Sequence, residues 1–327
     1  MARRRLTITR RDWPVAGEFR ISRSRLSVIP TVQVGIEEDG HRGRAECRPY
    51  ARYDQTVESV TDAISGLHTA IEDGLSRHAL QTALPAGPAR NALDCALWDL
   101  EAKRTGRSVH ALAGLPTPEA VETAFTLSID TPEAMAEAAR AARRHTLLKV
   151  KLGRDAILES LNAIHDARPD ARLIVDANEG FDVDGFAALY PPLEGFPIVM
   201  LEQPVAAGHD DALPRGDIPI CADESLHTAD DLPRLAEAGY RAVNVKLDKC
   251  GGLTAALDLM RRARDLDMDV MAGCMVGSSL AMAPMVVAAS LADVVDLDGP
   301  LLLADDESNG LRYEDGRVFP PVPELWG

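Results

Sequence analysis

A chain of 327 residues, 46% hydrophobic and 26% charged, has the apolar content for a large core plus a smaller accessory domain, which excludes a disordered protein. Its formal net charge of −16 sets the surface as a whole against nucleic acid and anionic membranes and favours a small-molecule partner. No apolar run reaches the ~18 to 20 residues of a membrane span, and the opening MARRRLTITRRDWP continues as a threonine-rich strand pattern instead of a signal-peptide core, so a cytoplasmic location is expected.

Residues 1 to about 45 read as paired strands, LTITRRDWPVA and VIPTVQVGIEEDGHRGRAEC, with a D-G turn signal between period-two segments. A helix follows in PARNALDCALWDLEAKRTG, where Pro88 stands near the start, Leu93, Ala96, Leu97 and Leu100 fall at helical spacing, and Gly106 lies just past the end. Together these predict an α+β domain over residues 1–115. The five cysteines, Cys47, Cys95, Cys221, Cys250 and Cys274, are scattered without a C-x-x-C pair, and reduced, mostly buried thiols are expected.

From about Glu122 the texture changes to short apolar runs, each ending in a polar residue and each expected to lead into an alanine-rich helix. The runs are TAFTLSI, LLKVKLG, LIVDANE, IVMLEQP, PICADES, AVNVKLDK, VMAGCM and VVDLDGP. Near-continuous Val, Ile and Leu within a run fits parallel strands covered on both faces. The interval between runs is what a strand, a helix and two loops consume, which predicts a (β/α) barrel over residues 116–303, with an open doubly wound sheet as the structural alternative. The tail, residues 304–327, has Pro and Gly punctuation and is expected to return to the first domain.

In such a barrel the carboxyl ends of the strands surround one mouth, so residues that end successive runs converge although far apart in sequence. Going round, they are Thr126 and Ser128, Lys149 and Lys151, Asp176 and Asn178, Glu202, Asp223 and Glu224, Lys246, Cys274, and Asp296 and Asp298. Singly, each acid reads equally well as a solvated loop residue or a helix N-cap. Three on consecutive strands repel one another unless a cation sits among them, and an all-oxygen donor set suits a hard ion such as Mg²⁺. Lys149 and Lys151, two apart on a strand, point to one side of it, and Lys246 ends a strand across the acids. These lysines read as acid and base groups, as counter-ions to the acids, or as a Schiff-base site; a base must be neutral, and a nearby ammonium and dication lower a lysine pKa in that direction. Removal of a proton beside a carboxylate needs stabilisation of the charge that develops. At an effective dielectric of ~20 one unit-charge pair at ~4 Å is worth about 4 kcal/mol and a dication about twice that, against ~1.4 kcal/mol per tenfold in rate.

Through LLKVKLG, LIVDANEGF, VMLEQPV, ICADES, VNVKLDKCGG and the helix RNALDCALWDL, the chain resembles the enolase superfamily in its muconate-lactonizing-enzyme-like subgroup, from the first strands to about Pro300. The resemblance implies a modified TIM barrel with an α+β capping domain, one Mg²⁺ per subunit on Asp176, Glu202 and Asp223, and Lys151 and Lys246 as the opposed acid/base pair with Lys149 assisting. DLDGP, AGCM and ARNALDCALWDL look most like the dipeptide epimerases that act on L-Ala-D/L-Glu in murein peptide metabolism, isomerases in which the acidic pair, here Asp296 and Asp298, holds the substrate ammonium. Thr126 and Cys274 are expected to line the substrate pocket. Glutamate-selective members use a capping-domain arginine, for which ISRSRLSVIP offers Arg23 and Arg25, with Arg25 taken here; Arg52 in PYARY is a further cation. A homo-oligomer acting on a small-molecule substrate, without nucleic-acid or membrane partner, is expected. The alternatives are o-succinylbenzoate synthesis, N-succinylamino acid racemisation or cycloisomerisation on the same site, and, from another class, a non-catalytic metal-binding barrel.

Overall fold

The computed structural model describes residues 3–21, 24–153 and 155–327, with no side chains described for residues 18–25. The first three strands, β1 (Arg5–Ile21), β2 (Ser24–Glu38) and β3 (His41–Cys47), form an antiparallel sheet in that order. The predicted D-G turn joins β2 to β3 with positive φ at both Asp39 (51°) and Gly40 (78°), the two-residue geometry whose twist suits a hairpin. Alternate residues Val32, Val34 and Ile36 on β2 are buried, and helix Pro88–Thr105 is buried along most of its length beside this sheet. Gly43 permits the contact: a Cβ there would stand 2.1 Å from the Ala96 carbonyl oxygen, so any larger residue would push β3 off the helix.

After β4 (Val121–Glu122), eight parallel strands follow in sequential spatial order: β5 (Phe125–Leu127), β6 (Leu147–Lys151), β7 (Arg172–Asp176), β8 (Ile198–Glu202), β9 (Ile220–Ala222), β10 (Ala242–Val245), β11 (Asp269–Ala272) and β12 (Val294–Val295). Beside the two ends of this sheet, Ala124 N donates to Val295 O at 2.9 Å, which brings β5 next to β12 and curls the sheet into a barrel. Ala124, Leu147, Ile174, Met200, Cys221, Ala242 and Met271 form a separate buried cluster, with Val294 against it. These are the inward residues of the barrel floor. Two positions further along, the same face carries Thr126, Lys149, Asp176, Glu202, Asp223, Asn244 and Asp296, with Gly273 after β11, so the strand period of two converts an apolar floor into a charged mouth.

Two of the eight runs lack the helix expected after them, and β12 leads only into a short 3-10 turn, Gly299–Leu302. Between β8 and β9 no helix forms, because residues 203–219 are interrupted by Pro204, Gly208, Pro214 and Gly216. A polar network closes this gap: Gln203 Oε1 accepts from Asp223 N at 2.8 Å and Ser225 N at 3.1 Å, while Tyr240 OH donates to Asp210 Oδ2 at 2.8 Å. In the tail, β13 (Tyr313–Glu314) pairs with β14 (Arg317–Val318), which pairs with β4. The chain then reaches the long helix, where Trp326 Nε1 donates to Cys95 O at 3.1 Å and Gly327 N to Asp99 Oδ1 at 2.8 Å. Among the described residues, no helix is long and apolar enough to cross a membrane.

Candidate active site

The acids at the ends of β7, β8 and just past β9 converge, and lysines stand among them. Asp176 and Glu202 are fully buried, and Asp223 is nearly so. Lys149 Nζ occupies the centre of the group, 3.2 Å from Asp176, 2.7 Å from Glu202 and 2.8 Å from Asp296. Lys151 pairs with the same Oδ2 of Asp176 at 2.5 Å, and Lys246 lies across the cluster, 2.6 Å from Asp223 and 3.8 Å from Glu202. Lys151 and Lys246 thus stand on opposite flanks of the acids, with Lys149 between and below them.

Two further residues join this group that sequence reasoning missed. Asn244 donates to Glu202 Oε1 at 2.8 Å, in space that Gly273 leaves open: a Cβ at 273 would meet Asn244 Oδ1 at 2.0 Å. It is two residues before Lys246 on one strand, so strand alternation alone could have found it. Lys249 reaches back one helical turn to pair with both the carbonyl and the carboxylate of Asp223; its signal was the three-residue spacing from Lys246.

The electrostatics follow from crowding in a dry place. Burial and the Asp176 carboxylate push Glu202 up to about 8. Burial also works against ionisation of Asp176 and Asp223, but Lys151 and Lys149 hold Asp176 down at about 2, and Lys246 and Lys249 hold Asp223 well below the carboxylate range. The lysine pKa values go against expectation: although burial opposes their charge, the surrounding carboxylates raise Lys149 and Lys246 well above the usual ammonium range. As the side chains stand, no three acidic, histidine or cysteine groups among the described residues are disposed to hold a metal, since each carboxylate is turned onto a lysine. Glu202 Oε2 remains buried without an aligned hydrogen-bond donor, and the donor set is all oxygen, which fits a hard cation.

Asp296 and Asp298 differ in their commitments. Asp296 Oδ2 accepts from Lys149, while its Oδ1 is buried with no partner. Asp298 Oδ2 accepts from Thr126 N at 2.7 Å, and burial together with Asp296 pushes its carboxyl up to about 7. Thr126 and Cys274 line the same cavity as Lys149, Lys151, Lys246 and the two aspartates, and burial raises the Cys274 thiol. All five cysteines are free thiols, four of them buried.

On the capping-domain side the cavity is walled by Leu26, Arg48, Tyr50 and Tyr53. The Arg23 and Arg25 side chains lie outside the described residues. Arg52 turns to the rim, where its Nη2 lies 3.1 Å from Glu179 Oε1. Arg48 was not singled out from the sequence, although it opens the same RPYARY segment.

The chain matches the mandelate racemase/muconate lactonizing enzyme N-terminal domain over residues 3–114 and the enolase C-terminal domain-like family over residues 133–324. It is 44% identical to an L-Ala-D/L-Glu epimerase of Escherichia coli strain K12 over 310 residues, covering 94% of this chain and 96% of that one. It is likewise 44% identical to an N-acetyl-D-glutamate racemase of a Pseudoalteromonas species over 300 residues, covering 90% and 95%. A solved enolase family member from Agrobacterium tumefaciens, with homology to dipeptide epimerases and holding sodium and L-Ala-L-Glu, is similar with TM-score 0.96 at 42% identity, covering 99% of this chain and all of that one. A dipeptide epimerase from Methylococcus capsulatus, solved with Mg and L-Arg-D-Lys, has TM-score 0.88 at 30% identity, with 100% and 99% covered. The strand-end acids and lysines therefore sit in a known framework, and the chain belongs to the enolase superfamily, in its mandelate racemase/muconate lactonizing enzyme group.

Proposed function

We propose that the chain is a Mg²⁺-dependent dipeptide epimerase that inverts the α-carbon of the C-terminal residue, with L-Ala-D/L-Glu as substrate. The observation that carries this reading is the placement of Lys151 and Lys246 on opposite flanks of one buried carboxylate group, with two more buried acids, Asp296 and Asp298, in the same cavity. Asp176, Glu202 and Asp223 would hold one Mg²⁺ per subunit. Bound there, the ion would neutralise charge developing on the substrate carboxylate as the adjacent proton leaves. Engagement of these acids by a cation would also remove the carboxylate fields that raise the lysine pKa values, which is the direction a general base requires.

Within that arrangement one lysine takes the α-proton and the opposite lysine returns a proton to the other face, inverting the centre. Lys149, closer to the barrel floor, orients Asp176, Glu202 and Asp296. Asp296 and Asp298 offer the substrate ammonium an anionic partner that an N-acylated substrate does not need. Thr126 fixes Asp298 through its backbone N–H, and Cys274 closes the wall beside them. The reading extends to a capping domain over residues 1–115, a catalytic barrel over 116–303 and a returning tail over 304–327, and to a cytoplasmic homo-oligomer acting in murein peptide breakdown.

Incubation of L-Ala-L-Glu with the protein and Mg²⁺ in D₂O should exchange the α-hydrogen and yield the other epimer. Absence of exchange across a panel of dipeptides would sink the proposal. A second reading, racemisation of an N-acylglutamate, is favoured by one observation: Asp296 Oδ2 is already engaged by Lys149, which leaves less of the acidic pair's charge for an ammonium. N-acetyl-D-glutamate as the preferred substrate over any dipeptide would select it.

A further inference from the structure

Asp210 is a buried acid that the proposed proton transfer does not use. It comes from the connection between β8 and β9, residues 203–219, which forms no helix, and it is fully buried. Four donors meet its two oxygens: Ser225 Oγ and Tyr240 OH donate to Oδ2 at 2.5 and 2.8 Å, and Arg234 Nη1 and Gly208 N to Oδ1 at 3.1 and 3.3 Å. A carboxylate only accepts, so each hydroxyl gives its single proton to Asp210 and has lone pairs alone for any other neighbour. That neighbour is Gln203. Its Nε2 lies 2.8 Å from Ser225 Oγ, 2.9 Å from Tyr240 OH and 2.8 Å from Val205 O, and its two hydrogens are shared among them. The amide nitrogen is committed to this side, which turns Oε1 the other way, onto Asp223 N and Ser225 N.

The consequence falls on the acid cluster. Gln203 directly follows Glu202, is fully buried and has a φ of 36°, a left-handed backbone that persists in a residue other than glycine only where surrounding bonds hold it. Its backbone N–H donates to Cys221 O at 2.9 Å, and its carbonyl accepts from Glu179 N at 2.8 Å. One residue thus ties the end of β8 to the end of β9 and to the loop after β7, the places from which Glu202, Asp223 and Asp176 project. Were the Gln203 amide reversed, its NH₂ would face the N–H groups of Asp223 and Ser225, donor against donor, and the segment carrying Asp223 would have to move. Resting on the reading of Asp176, Glu202 and Asp223 as the holders of one divalent cation, we propose that Asp210 is a positioning residue for that site. Its charge sets the donor direction through Ser225 and Tyr240, the Gln203 amide follows, and Glu202 and Asp223 are held together for the cation.

The test is cation affinity, read by Mg²⁺ titration calorimetry and by Mn²⁺ electron paramagnetic resonance on the metal-stripped full chain. The proteins are wild type, Asp210→Asn, Tyr240→Phe, Arg234→Met and Glu202→Gln, with folding of each checked by its urea transition in chelator. Asp210→Asn keeps the shape, but its amide can donate to a hydroxyl, which frees the chain of donors to reverse. Its Kd for the cation should rise by about 10- to 100-fold, and turnover lost at low Mg²⁺ should return as Mg²⁺ is raised. Tyr240→Phe removes one of the two relays and should raise Kd by about 3- to 10-fold. Arg234→Met takes away the half-exposed ion pair that anchors the loop while leaving both hydroxyls on Asp210, and should change Kd by no more than about twofold. A folded Asp210→Asn with unchanged Kd overturns the proposal; should that variant not fold, an unchanged Kd in Tyr240→Phe does so. Equal weakening in Arg234→Met and Asp210→Asn also overturns it, since Asp210 would then be a loop anchor alone. Cation binding that is absent from wild type, or that survives Glu202→Gln, discards the metal reading together with this one. A wild-type site that is lost in Glu202→Gln but indifferent to Asp210 discards Asp210 only.

Discussion

The two walls of the cavity are built on different physical terms. On the barrel wall the three lysines and the acids Asp176, Glu202, Asp223 and Asp296 are each held by at least one opposite charge, as Lys149 is by Asp176, Glu202 and Asp296. On the capping wall Arg48, Tyr50 and Tyr53 come from the segment after β3, and their position depends on how one domain sits against the other through contacts such as Arg48 N to Asp248. On the proposed reading the difference separates reaction from selection: the first wall would move a proton whatever the substrate's side chain, and the second would only choose among side chains. The strongest way to break this division is to delete a proton carrier. Lys151→Ala and Lys246→Ala should each lower epimerisation by about 10³- to 10⁴-fold. Each variant should still exchange the α-hydrogen of the one epimer that presents it to the surviving lysine, read by mass spectrometry in D₂O. Exchange lost for both epimers alike in both variants would mean that the two lysines do not address opposite faces.

A second contrast concerns what joins the walls. Asp94, buried on helix Pro88–Thr105, accepts from Thr254 N at 2.8 Å and Gln81 Nε2 at 3.0 Å, so it ties the capping helix to the start of helix Leu253–Asp265. Burial pushes its carboxyl up to about 6, above its ordinary value of 3.8. The folded chain therefore binds more protons than the unfolded chain between those values. Stability from this group is fully present below pH 3.8 and is lost as pH rises through about 6. At about 1.4 kcal/mol per unit over about two units, the loss is about 3 kcal/mol. Asp94→Asn should remove that slope: the difference in urea midpoint between variant and wild type should move in the variant's favour from pH 4.5 to 7. A difference that stays flat would show that Asp94 is ionised throughout.

The barrel wall was largely legible in the sequence and the capping wall was not. Lys149, Lys151, Asp176, Glu202 and Asp223 could be read because side-chain period and strand ends are local properties. Asn244 and Lys249 obey equally local rules, one strand step before Lys246 and one helical turn after it. What could not be read was curvature: Lys149 meets Asp296 only because the sheet curls until β6 lies near β12. Nor could spacing distinguish Arg48 from Arg52, since exposure there is decided by docking of two domains. The missing helix after β8 was signalled by its prolines and glycines, but the regular recurrence of the other units masked it.

Asp298 tests which wall reads the substrate's amino end. Asp298→Asn keeps an acceptor for Thr126 N and removes a charge, so L-Ala-L-Glu turnover should fall by about 10- to 50-fold, through KM, while any activity on N-acetylglutamate stays the same or rises. Equal losses on both substrates would assign Asp298 to support of Thr126 and the barrel closure instead.

The smallest effect belongs to Arg52. It sits four residues from Arg48 on the same segment, 40% exposed, and its pairing with Glu179 is in contact with water. Exposed pairs of this kind contribute about 1 kcal/mol or less. Glu179 also accepts from Ala207 N at 2.9 Å, so deleting the arginine does not release that side chain. Arg52→Ala should therefore change stability by less than about 1 kcal/mol and the ratio of kcat/KM for L-Ala-L-Glu over L-Ala-L-Gln by no more than about twofold, with any loss fading as salt screens the rim. Two arginines so close in sequence differ in setting, one buried in the cavity wall and the other partly solvated against Glu179. A collapse of the ratio in Arg52→Ala would place the acidic side chain at the rim, and the division between the two walls would have to be drawn elsewhere.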